Sequence, residues 1–183
     1  DDVEIPGLEA LGYAPEDAQN YAIAACWEFI IPGRGMEIPN IGRLPFANVT
    51  DQVIREKLAS CSSMDELRVC LRTAIAENVR DTVQAIHDLY LLPAPFLSLF
   101  FEGCLENEKD ISLGNRYNNW GLHGTGLAPA ADMLAAVDQT VFQEELSPKK
   151  LLAAMQKNFA GYDELRDHLA HQCPKMGNDD DRA

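Results

Sequence analysis

Cys26 and Glu28 are separated by one residue, Trp27, inside the apolar run 21–31. On an extended segment, side chains two positions apart share a face and the one between them turns away. Two strand steps put the Cα atoms of such a pair roughly 6.6 Å apart. One small molecule could then offer a carbon to the sulfur and a neighbouring hydroxyl to the carboxylate, an arrangement suited to redox or acid–base work. A glutamate in an apolar run is also costly to bury ionised, and that cost is itself a hint of function. A plainer reading stands beside this one. Buried cysteines commonly only fill space, and a glutamate beside a loop commonly reaches solvent or an arginine, here Arg34 or Arg43.

The other chemistry-bearing residues form weaker sets. Cys104 reads as a packed thiol. His168, His171 and Cys173 follow one another along a helix end, but a fourth ligand and a paired-cysteine motif are missing, so no metal is expected. Asp179, Asp180 and Asp181 lack the spaced pattern of a calcium loop and read as a solvated turn. Residues 121–126 lack the Gly-Lys-Ser/Thr of a phosphate loop. Asn118, Trp120 and His123 could line a pocket, although a Gly-rich turn anchored by an aromatic accounts for them equally.

The elements that must position the Cys26–Glu28 pair follow from pattern. Pro15, Glu16 and Asp17 predict a short helix to about residue 19. Aromatic and β-branched content predicts a buried strand over 21–31. Pro32, Gly33, Gly35, Pro39, Gly42 and Pro45 then predict an irregular loop. Thr50 caps a short helix to residue 60. Ser63 and Glu66 form a capping box for a long helix, whose apolar stripe runs through Leu67, Leu71, Ile75, Val79, Val83, Ile86 and Tyr90 until Pro93 stops it. Residues 114–126 read as a Gly/Asn-rich loop, and helices follow over about 129–142, 147–158 and 162–172. The balance is α/β, mostly helical with at least one buried strand.

Bulk properties narrow the class. The 183 residues are 46% hydrophobic, suit one domain, and show no repeat or composition break that would mark a second. The formal charge of −14 repels phosphate backbones, so no nucleic-acid partner is expected. The longest apolar stretch, 89–101, is broken by Pro93 and Pro95 and is too short to span a bilayer, so no membrane association is expected either. Five scattered cysteines do not suit a disulfide framework and read as thiols in a reducing cytoplasm. Neither terminus closes an element, so an internal segment of a longer protein is expected.

Several phrases together carry a family resemblance. Tyr-Ala-Ile-Ala-Ala-Cys-Trp-Glu-Phe-Ile-Ile-Pro-Gly at 21–33 resembles the cysteine loop of glycyl radical enzymes, roughly Tyr-x-x-x-Gly-Cys-x-Glu-x-x-x-Pro-Gly. The approach to that loop at 1–13 is similar too. So are Gly103-Cys104-Leu105-Glu106, Gly114-Asn115-Arg116-Tyr117-Asn118, the segments at 131–142 and 158–166, and Pro174-Lys175-Met176-Gly177-Asn178-Asp179-Asp180. They arrive in the family's order along nearly the whole chain.

The resemblance implies an excerpt, over 1–183, of the large glycyl radical enzyme barrel in the pyruvate formate-lyase-like superfamily. The cysteine loop would span about 21–35 and the helical region about 50–173. It implies that Cys26 yields a hydrogen atom to a glycyl radical, that the thiyl then takes hydrogen from a carbon of a small hydroxylated substrate, and that Glu28 deprotonates the adjacent hydroxyl before water or an amine leaves. No Arg-Val-x-Gly-Tyr-type loop occurs in the chain, so the radical is expected on a glycine outside it, installed by a radical SAM iron–sulfur activating enzyme. Ala25 stands where a second cysteine would be needed for acyl transfer. The substrate is left open, and a homodimer is the candidate assembly. Two rival functions accompany the lyase: decarboxylation of an arylacetate, and a non-catalytic radical-enzyme-like binding domain.

Overall fold

The computed structural model of the protein describes residues 1–24, 28–35 and 38–183, with Ile38 and Pro39 described by backbone alone. In chain order the elements are α1 (Glu4–Ala10), α2 (Pro15–Ala18), β1 (Ala22–Ala24), β2 (Glu28–Ile30), β3 (Ile38–Pro45), α3 (Phe46–Lys57), α4 (Met64–Ile86), α5 (Pro95–Ser98), α6 (Ile111–Gly114), β4 (Trp120–Thr125), α7 (Leu127–Val137), α8 (Pro148–Gln156) and α9 (Asp163–His171). The chain forms two compact units, one of residues 1–42 and 85–123, the other of 43–84 and 124–183.

In the first unit Pro15 opens α2 with Glu16 and Asp17 in its first turn, where the exposed amides favour negative charge. Leu8, Tyr13, Ala18 and Ile31 form its core, and Ile5, Tyr21 and Tyr117 pack against them. The rings of Tyr13 and Tyr117 meet at 4.6 Å between centroids, a tilted contact typical of buried aromatic pairs.

The expected single strand over 21–31 is instead an antiparallel hairpin. Ala22 pairs with Ile30, Ile23 with Phe29 and Ala24 with Glu28. The chain therefore reverses between Ala24 and Glu28 without a Gly or Asn to announce it. Two further strands lie where loops were expected. β3 runs through Pro39 and Gly42, and β4 runs through the Gly/Asn-rich stretch; the two pair as a separate two-stranded sheet. Proline and glycine lower strand propensity, but pairing on one edge overrides that prior.

The second unit is helical and matches the sequence pattern more closely. The amide of Glu66 donates to Ser63 Oγ at 3.3 Å. The Glu66 carboxylate in turn accepts from the amide of Ser62 at 2.7 Å and from its hydroxyl at 2.9 Å, one residue earlier than the simple capping box. These bonds hold the Glu66 carboxyl below the usual glutamate value. α3 begins at Phe46, four residues before Thr50, and α4 ends at Ile86. After α7 the chain continues in a wider helical turn over Asp138–Gln143. Gly126 enters α7 at φ 72°, where an added Cβ would stand 3.0 Å from the Ala47 Cβ; both conformation and space select glycine there.

The core of this unit is Val53, Ile54, Leu58, Met64, Leu67, Val137, Val141 and Leu151. Leu67 is 0% exposed, so Leu67→Ala is expected to destabilise the unit by about 2–5 kcal/mol. A lowered midpoint in urea unfolding followed by helical circular dichroism checks this. The stripe of α4 is buried only at its start, since Val83 is 49% exposed.

Candidate active site

The hairpin places Glu28 at the head of β2, directly paired with Ala24 at the end of β1. Ala22, Ala24, Glu28 and Ile30 are half-buried on one face, while Ile23 and Phe29 occupy the other and are exposed. Glu28 Oε1 accepts a hydrogen bond from Asn40 Nδ2 at 3.3 Å. Asn40 was not singled out in the sequence; only its place on the strand after the Gly-rich turn brings it to the carboxylate. Cys26, the other half of the pair, lies outside the described residues.

Arg34 does not serve Glu28 in the way the sequence suggested. Its Nη1 pairs with Asp17 Oδ1, and its Nε donates to Glu102 Oε2 at 2.8 Å. Asp17 is only 1% exposed. Its Oδ2 accepts from the Tyr117 hydroxyl at 2.7 Å and lies 3.3 Å from Arg116 Nη1. The same tyrosine oxygen accepts from the amide of Ala14 at 3.0 Å. Burial pushes the Asp17 carboxyl up, but the bonds from Tyr117 and Arg34 and the charges of both arginines outweigh it and hold the group below its ordinary value of 3.8.

That shift has a pH consequence. A carboxyl with a depressed folded value stabilises fully above the ordinary value and loses the contribution as pH falls through the lower one. Acid titration is therefore expected to loosen residues 1–42 and 85–123 only below about pH 4, and Asp17→Asn should remove that step. Amide exchange measured against pH checks it.

Backbone bonds complete the attachment of the hairpin foot. The amides of Arg34 and Gly35 both donate to Ile31 O at 3.1 Å, the Glu102 amide donates to Gly33 O at 2.9 Å, and the Tyr117 amide donates to Arg34 O at 3.1 Å. The two signature segments at 103–106 and 114–118 meet to hold Glu102 and Tyr117 in place. An added Cβ on Gly103, which has φ 97°, would stand 2.7 Å from Gly114 O. Asn107 Nδ2 donates to that same oxygen at 3.0 Å, and Cys104 Sγ donates to Asn115 Oδ1 at 3.2 Å. Cys104 is 2% exposed, and burial raises its thiol pKa, which disfavours the reactive thiolate.

The remaining candidates are distributed elsewhere. His168 bridges Glu144 Oε2 at 3.0 Å and Gln172 Oε1 at 2.9 Å. Among the described residues no three His, Cys, Asp or Glu side chains gather as a metal site. Cys61, Cys70, Cys104 and Cys173 are free thiols. Asp180 is bound by the backbone and guanidinium of Arg182, which lower its carboxyl to about 2. Asn118 holds Asn115 O at 3.1 Å, and His123 lies exposed on β4. No helix among the described residues is long and apolar enough to cross a membrane.

Comparison with known proteins gives this geometry a context. The family model described as pyruvate formate lyase-like matches residues 1–183. A probable dehydratase, YbiW, of Escherichia coli K12 is 29% identical over 215 residues, covering 99% of this chain and 26% of that protein. The trans-4-hydroxy-L-proline dehydratase of Clostridioides difficile is 35% identical over 94 residues, 50% of this chain and 12% of that protein. The crystal structure of a glycyl radical enzyme from Archaeoglobus fulgidus superposes with a TM-score of 0.81 at 27% identity, covering 100% of this chain and 26% of its own. The chain thus spans about a quarter of the length of such relatives, and its fold is that of a segment of their barrel. Matched from its first residue to its last, the chain belongs to the pyruvate formate lyase-like family of glycyl radical enzymes.

Proposed function

We propose that the intact protein is a radical lyase that removes water, an amine or a similar group from a small hydroxylated substrate, with Cys26 and Glu28 as its catalytic residues. The observation that carries this reading is Glu28 at the head of β2, half-buried beside Asn40, two positions after Cys26 in the sequence. Relatives described as dehydratases support the eliminating branch.

A glycyl radical, carried on a glycine outside this chain and installed by a radical SAM activating enzyme, would supply the unpaired electron. The donor set fits it: a thiol can pass a hydrogen atom to a carbon radical and retrieve one from a substrate carbon, and a carboxylate beside it can take a proton. Cys26 gives up its hydrogen atom, and the sulfur then takes one from the carbon that bears a hydroxyl. Glu28 accepts that hydroxyl's proton, so electron density flows toward the neighbouring carbon and its leaving group departs with the bonding pair. The proton lost to Glu28 balances the one that departing hydroxide gains in becoming water. Return of the hydrogen atom from Cys26 to the product carbon closes the cycle with no net oxidation. Exclusion of water and oxygen from the intermediates is what the barrel interior supplies. A cytoplasmic, oxygen-poor setting and a homodimeric assembly suit the same chemistry.

The test is product analysis. Activated full-length protein is incubated with vicinal diols, hydroxylated amines and arylacetates, and released water-loss product, amine and carbon dioxide are compared. Elimination from a hydroxylated substrate is the expected result. Carbon dioxide release alone would replace the lyase reading with the decarboxylase.

A further inference from the structure

Two strands of three residues cannot fix a reactive loop by themselves, since isolated hairpins are marginal in water. One face of this hairpin carries the exposed Ile23 and Phe29; the chain enters it at Tyr21, which packs against the core of the unit, and leaves it through residues 31–35, where a second attachment lies. There one side chain, Arg34, forks between the buried Asp17 and the exposed Glu102. Asp17 is in turn fixed by Tyr117 and Arg116 from a distant part of the chain. Both oxygens of a carboxylate that is 1% exposed are therefore engaged, one toward the hairpin foot and one toward the 116–117 segment. The turn that follows the hairpin is pinned on the same side by the backbone bonds to Gly33 and Arg34.

We infer that Asp17 is a positioning residue for the reaction: acting through Arg34, it sets the place of the β1–β2 hairpin that bears Glu28. Neutralising it leaves Arg34 paired only with the exposed Glu102, and the foot of the hairpin loses the buried charge that points it. The effect stays within residues 1–42 and 85–123, because every group the clamp joins, including Glu102 and Ala14, lies there. Displacement of a reacting group by about 1 Å costs roughly 10²-fold in rate, so the consequence falls on turnover. This rests on the lyase reading above, and the measurements are chosen to separate the two.

Asp17→Asn is made in the full-length protein, and amide hydrogen exchange is followed before activation, where no radical chemistry enters. Exchange at 22–24 and 28–35 is expected to rise about tenfold or more, while 64–86 and 127–137 keep their rates. After activation, kcat should fall roughly 10²-fold with KM within about threefold, the mark of lost alignment rather than lost binding. Arg34→Lys keeps the charge but not the fork and should lie between wild type and Asp17→Asn in both measurements. Wild-type exchange over the hairpin in Asp17→Asn overturns the inference, and so does a rise spread evenly across both units. Should Asp17→Asn fail to fold, Arg34→Lys and Glu102→Gln decide in the same way: a hairpin-confined rise in both supports the clamp, and wild-type rates in both overturn it. Failure of the lyase reading would leave a different mark, normal turnover in Cys26→Ser with the hairpin still loosened in Asp17→Asn.

Discussion

Cys26→Ser in the activated, full-length protein is expected to turn over no substrate, with the unactivated protein unfolding at the wild-type midpoint. Serine is nearly the same size as cysteine, so packing around the loop changes little. Its O–H bond, however, is much stronger than S–H, so a hydroxyl cannot pass a hydrogen atom to a carbon radical at a useful rate. Each ~1.36 kcal/mol added to the barrier slows a step tenfold, and several such increments take the rate below detection. Electron paramagnetic resonance of the activated variant should still report a stable organic radical, because installation does not require this thiol. Turnover within about tenfold of wild type would remove Cys26 from the reaction, since that margin is no more than ~1.4 kcal/mol.

What could be read from the residues alone divides along local and distant interactions. Pro15 with Glu16 and Asp17, and Ser63 with Glu66, are local signals, and α2 and the start of α4 stand where they place them. The helices expected over about 147–158 and 162–172 stand as α8 and α9. Strands were not. β3 and β4 are paired across about 80 residues of chain, and such pairing overrides the Pro39, Gly42 and Gly121 that argued for loops. The antiparallel pairing of 22–24 with 28–30 was hidden because the apolar run 21–31 carries no Gly, Asn, Asp or Pro to mark a turn.

The same division applies to the site. Cys26 and Glu28 were visible as a spacing, and the family phrases gave that spacing a role. The supporting residues were not visible, since Asp17 meets Arg34 across 17 positions and Tyr117 across 100. A carboxylate in the first turn of a short helix looks like a favourable charge at a helix end, and nothing in its neighbourhood says that it will be buried between two arginines. Asn40 was likewise read as part of a loop, and only the course of β3 brings it to Glu28.

Glu28→Gln separates the two steps that the pair is proposed to share. The amide matches the carboxylate in size and can still accept the hydrogen bond from Asn40, and the strand pairing of residue 28 with Ala24 uses the backbone alone, so the hairpin should persist. The amide cannot take a proton from a substrate hydroxyl. Loss of a positioned general base commonly lowers turnover by about 10²–10⁴-fold, and that is the expected fall in elimination rate, with KM little changed. Hydrogen abstraction should survive, because it belongs to Cys26. Substrate deuterated at the hydroxyl-bearing carbon is then expected to lose its label to the exchangeable thiol, and so to water, without releasing product. Mass spectrometry of recovered substrate reads this directly. Unimpaired elimination in Glu28→Gln would assign the base elsewhere. Loss of deuterium washout together with elimination would mean that Glu28 serves the placement of Cys26 rather than the proton, because a base that acts only after abstraction cannot silence the abstraction itself.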